Sequence, residues 1–173
     1  KIDTGSIIAN KEVVIEENET AETLHDKLMD EGSKLVLETL ELIEKRKANP
    51  KPQPKTSNLK EAPKLTSENT RIDWTKPGKE IASFIRGLSP YPVAWTILHN
   101  NNEELKTKIY SASFERSEQI LKPGSIQISK KELKVACADG FIIIKEILLP
   151  GKRKMDVSSL LNGYSFDEDS KLS

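Results

Sequence analysis

The chain has 173 residues, 36% of them hydrophobic and 31% charged, which suits one domain or a domain with an appendage. Its longest apolar runs, at 141–144 and 147–150, are far too short to span a bilayer, so a helical membrane protein is excluded. A single cysteine, Cys137, excludes a disulfide framework and a cysteine zinc cluster, and two histidines give no basis for a metal site.

No signal peptide is visible, and with Lys1 rather than Met as its first residue the chain is expected to be a piece of a longer protein. The equal totals of 27 basic and 27 acidic residues hide an asymmetry. Residues 1–48 carry a balance of −5, residues 49–70 one of +2 and residues 71–163 one of +5, while the tail at 164–173 is at −2. A basic half beside an acidic one points weakly to a polyanionic partner.

In chain order, 7–8 and 13–15 read as short strands. Thr20 is a good N-cap for a helix carrying Leu24 and Leu28 on one face. Gly32 is expected to interrupt it, with Leu35, Val36, Leu40 and Ile43 continuing the amphipathic pattern to about Lys47. Lys45, Arg46 and Lys47 then fall in the last turn, where the helix dipole favours cations. Residues 1–48 cannot close a core alone and read as the closing end of an α/β domain. Residues 49–70 are a basic linker whose alternating prolines at 50, 52 and 54 favour extended polyproline-II backbone.

Beyond the linker, Pro77 starts a helix over 78–88 with Ile81, Ile85 and Leu88 at core spacing. Pro90 and Pro92 forbid its continuation. Five strands follow at 93–98, 105–114, 125–129, 133–138 and 141–149. Asn100-Asn101-Asn102 and Lys130-Lys131 mark turns, and Asp139-Gly140 is a tight-hairpin signal. Five short strands in so small a span predict a small OB-like barrel. Asp156 caps a last short helix through Leu160-Leu161, ended by Gly163. Residues 164–173 form a polar tail whose end, 167–173, reads as frayed.

Little looks catalytic from residue types alone. Asp3-Thr4-Gly5 reads either as an active-site carboxylate at a strand-to-loop junction or as an ordinary turn. His25 reads as solvated, His99 as a loop residue and Cys137 as a small core residue. The run Lys152-Arg153-Lys154 after Pro150-Gly151 reads either as a solvated loop or as a corner that contacts phosphates, releasing condensed counterions on binding nucleic acid. Trp74, Trp95 and Tyr91 have rings able to stack on bases, but their proline-rich and apolar neighbours favour packing.

Three blocks in order carry a resemblance. Ile2-Asp3-Thr4-Gly5 with Glu22-Thr23-Leu24-His25-Asp26-Lys27-Leu28 resembles the end of the catalytic domain of the methionyl-tRNA formyltransferases. Arg71-Ile72-Asp73-Trp74 with Ile85-Arg86-Gly87-Leu88-Ser89-Pro90-Tyr91-Pro92-Val93-Ala94-Trp95 is similar to the start of that family's C-terminal domain. Asp139-Gly140, then Pro150-Gly151-Lys152-Arg153-Lys154-Met155 and Leu160-Leu161-Asn162-Gly163, is similar to its closing signature.

The resemblance implies an α+β chain: the tail of a Rossmann-like formyltransferase domain at 1–48, a linker at 49–70, an OB-like β-barrel domain at 71–163 that binds tRNA, and a polar tail. It implies transfer of a formyl group from 10-formyltetrahydrofolate to methionyl initiator tRNA, in the cytoplasm, with no metal and no obligate protein partner. By resemblance Asp3 is the catalytic aspartate, which stabilises a charged histidine and orders a water while an asparagine and that histidine polarise the formyl carbonyl. The family's Asn-x-His element has no counterpart in this chain, so the chain alone is expected to be inactive. The tRNA contacts expected are Lys152, Arg153 and Lys154, then Lys76, Lys79 and Arg86, with Lys51 and Lys55 in the linker. The competing readings are another formyltetrahydrofolate-using enzyme and an OB-like RNA-binding module without enzymology.

Overall fold

Thr20 ends an extended stretch and starts the longest element. Its hydroxyl accepts from the Thr23 amide while the Thr23 hydroxyl oxygen accepts from the Thr20 amide, a reciprocal capping box that opens helix α1 (Ala21–Glu44). In this computed structural model residues 3–54, 60–119 and 121–173 are described, and the chain divides into two compact units at Lys64/Leu65.

In the first unit α1 runs 24 residues without a break. The expected interruption at Gly32 does not occur. A glycine inside an exposed helix costs only about 1 kcal/mol, and Lys34 pairs with Asp30 and Glu31 across the same turns. Lys45, Arg46 and Lys47 lie beyond the last turn rather than within it. Arg46 takes a left-handed φ of 52°, its amide donates to Ile43 and that of Lys47 to Leu42, which is a Schellman ending. The strands expected at 7–8 and 13–15 are not formed. Ile7 makes one antiparallel bridge, to Lys51, and no neighbour offers residues 13–15 a ladder. No residue of α1 is buried, and Val36, Leu37 and Leu40 stay more than half exposed.

The second unit is a barrel-like antiparallel sheet with two helices against it. Its strands are β1 (Ala94–Asn100), β2 (Glu103–Arg116), β3 (Ile126–Ile128), β4 (Leu133–Cys137), β5 (Gly140–Leu148), β6 (Met155–Asp156) and β7 (Lys171–Leu172), ordered β3-β4-β5-β2-β1-β7 with β6 beside β5. Helix α2 (Gly78–Leu88) packs Ile81, Ile85 and Leu88 into the core, and the short α3 (Val157–Leu161) adds Val157 and Leu160. The hairpin at Asp139-Gly140 forms with its two-residue loop at Ala138-Asp139, because Gly140 already pairs with Cys137. That displaced aspartate has a second task. Pro77 has no side-chain group to cap α2, and the Asp139 carboxylate accepts the Gly78 amide at 2.7 Å instead.

Residues 164–173 are ordered, contrary to the frayed tail expected. Asn100, 3% exposed, donates to the Tyr164 hydroxyl and the Ser165 carbonyl and accepts from the Asp167 amide and the Ser170 hydroxyl. The polar composition serves this clamp. It delivers Leu172 opposite Leu98 and lets Ser173 exchange two backbone hydrogen bonds with Ile97. On the far side the Leu172 amide donates to the Gly124 carbonyl at 2.8 Å, which closes the sheet toward β3. Gly124 has φ +86°, and a Cβ there would sit 2.1 Å from the Leu172 carbonyl oxygen.

Two substitutions test this closure. Gly124→Ala meets both the left-handed φ and the Leu172 carbonyl, so chemical denaturation should show a loss of at least about 1–3 kcal/mol. Thr96→Val removes the group that accepts from Trp74 Nε1 and donates to the Ser173 carbonyl. Leaving a buried indole donor unpaired should cost about 1–3 kcal/mol, and faster amide exchange at Leu172 and Ser173 should accompany it.

Candidate nucleic-acid interface

The β5 strand carries Ile147 and the following Leu149 into the core, so the chain is anchored on the inside just before its turn. Pro150-Gly151 then reverses direction, with Gly151 at φ +71° and the Lys152 amide bonded to the Leu149 carbonyl. Lys152, Arg153 and Lys154 follow on this exposed corner. Three adjacent cations repel one another, and the structure spreads them. Lys154 Nζ lies 3.3 Å from Glu146 and 5.2 Å from the centre of the Tyr110 ring. Lys152 Nζ lies 5.9 Å from the centre of the Tyr164 ring, and Arg153 has no partner among the described residues. The corner stays cationic, since only one carboxylate answers three cations.

Just past the corner, Asp156 fixes the start of α3. Its carboxylate takes the Ser158 hydroxyl and then the Ser159 amide and hydroxyl, which hold its pKa down at about 2. The turn that bears the cations therefore ends in a firmly capped helix.

The other expected contacts fall elsewhere. Lys79 and Arg86 lie on α2, and Lys76 precedes it on the lip of a cleft of about 190 Å³ floored by Ile72, Ile81 and Phe84. Asp73 and Glu80 face the same cleft, so its cations are balanced. The Asp73 carboxyl is held below its usual range, first by the Thr75 hydroxyl, then by the Thr75 amide. No hydrogen bond or ring contact joins these α2 cations to the Lys152–Lys154 corner among the described residues.

In the first unit Asp3 stands exposed in a turn at φ +59°. Gln53 Nε2 donates to both the Asp3 and Gly5 carbonyls, at 3.0 and 2.9 Å, so the linker braces this turn through its backbone. Lys51 is held by the same brace, exchanging backbone hydrogen bonds with Ile7. Lys55 lies outside the described residues. His25 pairs with the adjacent Asp26, and His99 sits on β1 rather than in a loop, beside Ser173 and Glu104. Among the described residues no hydrogen bond or ion pair joins His25 to Asp3. Among the described residues no cluster of three His, Cys, Asp or Glu is placed to hold a metal, and no helix is long and apolar enough to cross a membrane.

The aromatic residues separate into three environments. Trp74 is 4% exposed and packs in the core, as its neighbours predict. Tyr91 does the opposite, projecting 85% exposed from the proline loop after α2. Trp95 lies half-buried on the outer face of β1 and was not legible as a cation site. Lys106 Nζ stands 4.0 Å and the Arg71 guanidinium 5.5 Å from the centre of its ring. The signal available was the alternation Leu105-Lys106-Thr107-Lys108-Ile109, which turns both lysines outward on a strand.

With this geometry the chain matches the family described as formyl transferase, C-terminal domain, over residues 64–165, and it belongs to that family. It is 46% identical over 172 residues to a methionyl-tRNA formyltransferase of Flavobacterium johnsoniae, covering 99% of this chain and 55% of that protein. It is 39% identical over 177 residues to a methionyl-tRNA formyltransferase of Bacteroides fragilis, with the same coverage. The chain thus spans about half the length of the curated relatives it matches. Two solved structures share the fold. HypX from Aquifex aeolicus in complex with tetrahydrofolic acid gives a TM-score of 0.64 at 21% identity, over 96% of this chain and 30% of that one. The N-formyltransferase from Helicobacter canadensis in complex with folinic acid and dTDP-3-aminofucose gives 0.58 at 22% identity, over 83% and 51%.

The Asp156 cap carries a pH prediction. A carboxyl depressed from 3.8 to about 2 lends its stability fully above its unfolded value and loses it as the pH falls toward the folded one. Amide exchange at Ser159 should therefore stay slow at pH 4 and quicken only as the pH approaches about 2. An Asp156→Asn variant should lose most of that acid dependence.

Proposed function

We propose that this chain is the C-terminal part of a methionyl-tRNA formyltransferase, whose OB-like barrel and basic linker hold methionyl initiator tRNA while the catalytic half moves a formyl group from 10-formyltetrahydrofolate to the methionine amino group during translation initiation. The observation that carries this reading is the 46% identity to the Flavobacterium johnsoniae enzyme, which runs through both units. The helix and turns of residues 1–48 are on this reading the tail of the Rossmann-like catalytic domain, and the enzyme works in the cytoplasm.

Within it, Lys152, Arg153 and Lys154 are the first phosphate contacts, with Lys76, Lys79 and Arg86 on α2 and Lys51 and Lys55 in the linker as further ones. Cations that bond phosphates fix register and orientation without reading bases. Asp3 is the catalytic carboxylate of the whole enzyme. Its exposed turn, braced by Gln53 through backbone carbonyls only, leaves the carboxylate oxygens to serve a histidine contributed by the other half. No metal takes part in this scheme. The chain alone lacks the Asn-x-His element and transfers no formyl group.

The test is a titration of this chain with initiator tRNA over a salt series, repeated with Lys152, Arg153 and Lys154 changed to Glu. Wild-type affinity should fall steeply with salt, and the triple change should remove up to about three units from the slope of log affinity against log salt. In the full-length enzyme Asp3→Asn should lower kcat and leave the tRNA Kd unchanged. A full-length wild-type protein that transfers no formyl group to methionyl initiator tRNA overturns the reading.

A further inference from the structure

The Lys152–Lys154 corner does not stand alone. Strand register carries positive charge from it across the outer face of the barrel. Tyr110, under Lys154, lies at the irregularity in β2 where Ser111 pairs with Glu146. Two residues back on β2, Lys108 lies opposite Leu148 of β5 on one side and opposite Trp95 of β1 on the other. Two residues further back, Lys106 reaches diagonally over the Trp95 ring, and Arg71 approaches that ring from the segment bridged to β1. From Lys106 to Tyr110 is four strand residues, about 13 Å.

What these cations share is contact with an aromatic ring, or no polar contact among the described residues, in place of an ion pair, although Arg71 also lines the cleft that holds Asp73 and Glu80. Other lysines meet a carboxylate: Lys34 meets Asp30, Lys45 meets Glu41, and Lys134 meets Glu115 at 2.8 Å. Arg71, Lys106 and Lys108 have no ion pair among the described residues. Lys106 touches the Ser67 hydroxyl and the indole, and Arg71 the Ser173 hydroxyl and the indole. Lys108 makes no hydrogen bond or ion pair among the described residues. A ring holds a cation in place and leaves its charge intact, whereas a carboxylate cancels it.

The geometry points to a second phosphate-binding track on the outer face of β1, β2 and β5, formed by Arg71, Lys106 and Lys108 around Trp95 and continuous with the Lys152–Lys154 corner, whose occupant is the ribose-phosphate backbone of the bound RNA. This rests on the tRNA reading above and assigns it a face. Trp95 is a positioning residue here. Its Nε1 is already given to the Ser67 carbonyl at 2.7 Å, so the indole locks residues 67–71 and steers the two cations instead of reading a base.

The experiment uses the chain with initiator tRNA, titrated at several KCl concentrations. Three proteins are compared with wild type: the corner triple to Glu, the track triple Arg71→Gln/Lys106→Gln/Lys108→Gln, and Lys108→Gln alone. The track triple should lose two to three units of salt slope, about 0.9 per lost phosphate contact, while keeping the corner's contribution. Lys108→Gln, whose ammonium holds nothing in the fold, should lose about 0.9 unit and keeps the test decisive if the triple unfolds. Trp95→Leu should weaken binding with a smaller slope, and Trp95→Phe should recover most of it. A wild-type slope in both Lys108→Gln and the track triple overturns the track, leaving its cations to hold residues 67–71. If wild-type protein itself fails to bind tRNA, the functional reading falls along with the track. Loss confined to the corner triple removes the track alone.

Discussion

A sheet that curls toward a barrel has two edges, and every unpaired amide on them is a liability. In this protein a two-residue strand at Lys171–Leu172 settles both. It pairs with β1 on one side, and the Leu172 amide reaches the Gly124 carbonyl on the other. The joint is reinforced from inside by the Thr96 hydroxyl, which links the Trp74 indole to the Ser173 carbonyl in the core. So small a strand holds only because Gly124 has no side chain to obstruct it and because Asn100 draws residues 164–170 down onto the hairpin end of β1. Once β1 is fixed, its outward residues Trp95, Ile97 and His99 are fixed too, and Lys108 and Lys106 follow from the register of β2. The proposed phosphate-binding face is thus a consequence of closure.

The two units manage charge by different means. Along α1, Lys34 and the C-cap Lys45 each sit one turn from a carboxylate, and these exposed pairs cancel charge locally on an acidic helix without contributing much stability. On the barrel's outer face, cations lie over Trp95, Tyr110 and Tyr164. An aromatic ring orders a long side chain at low electrostatic cost and leaves its field open to solvent. That arrangement suits a surface kept positive for a polyanion. It also answers how Lys152, Arg153 and Lys154 coexist: Lys152 and Lys154 are drawn toward different rings, and Glu146 relieves Lys154.

What could be read from the sequence was local. The bounds of α2, the Thr20 and Asp156 caps, the five barrel strands and the consecutive cations at 152–154 all rest on signals within a few residues of one another. Two of the differences show why the rest was not legible. The strands expected at 7–8 and 13–15 had the right residue types, but a strand also requires a neighbour, which periodicity cannot supply. The tail looked frayed because Asp167, Glu168 and Asp169 are polar, yet its ordering comes from Asn100, more than sixty residues away. Arg71, Lys106 and Lys108 were overlooked for the same reason. They become neighbours only through the pairing of β1 with β2 and the bridge from Arg71 to Trp95.

The chemistry of these rings also limits what the face can discriminate. Sequence readout of RNA needs donors and acceptors free to meet base edges, or rings free to stack on unpaired bases. Here the Trp95 donor is given to the Ser67 carbonyl, the Tyr164 hydroxyl is engaged by Asn100, and the rings are covered by ammonium and guanidinium groups. What remains to meet a partner is charge at fixed spacing, which favours any duplex of suitable curvature and supplies affinity that falls with salt. On this reading, choosing one tRNA among many is left to the catalytic half or to Tyr91, whose ring alone among these aromatics stands clear of the surface.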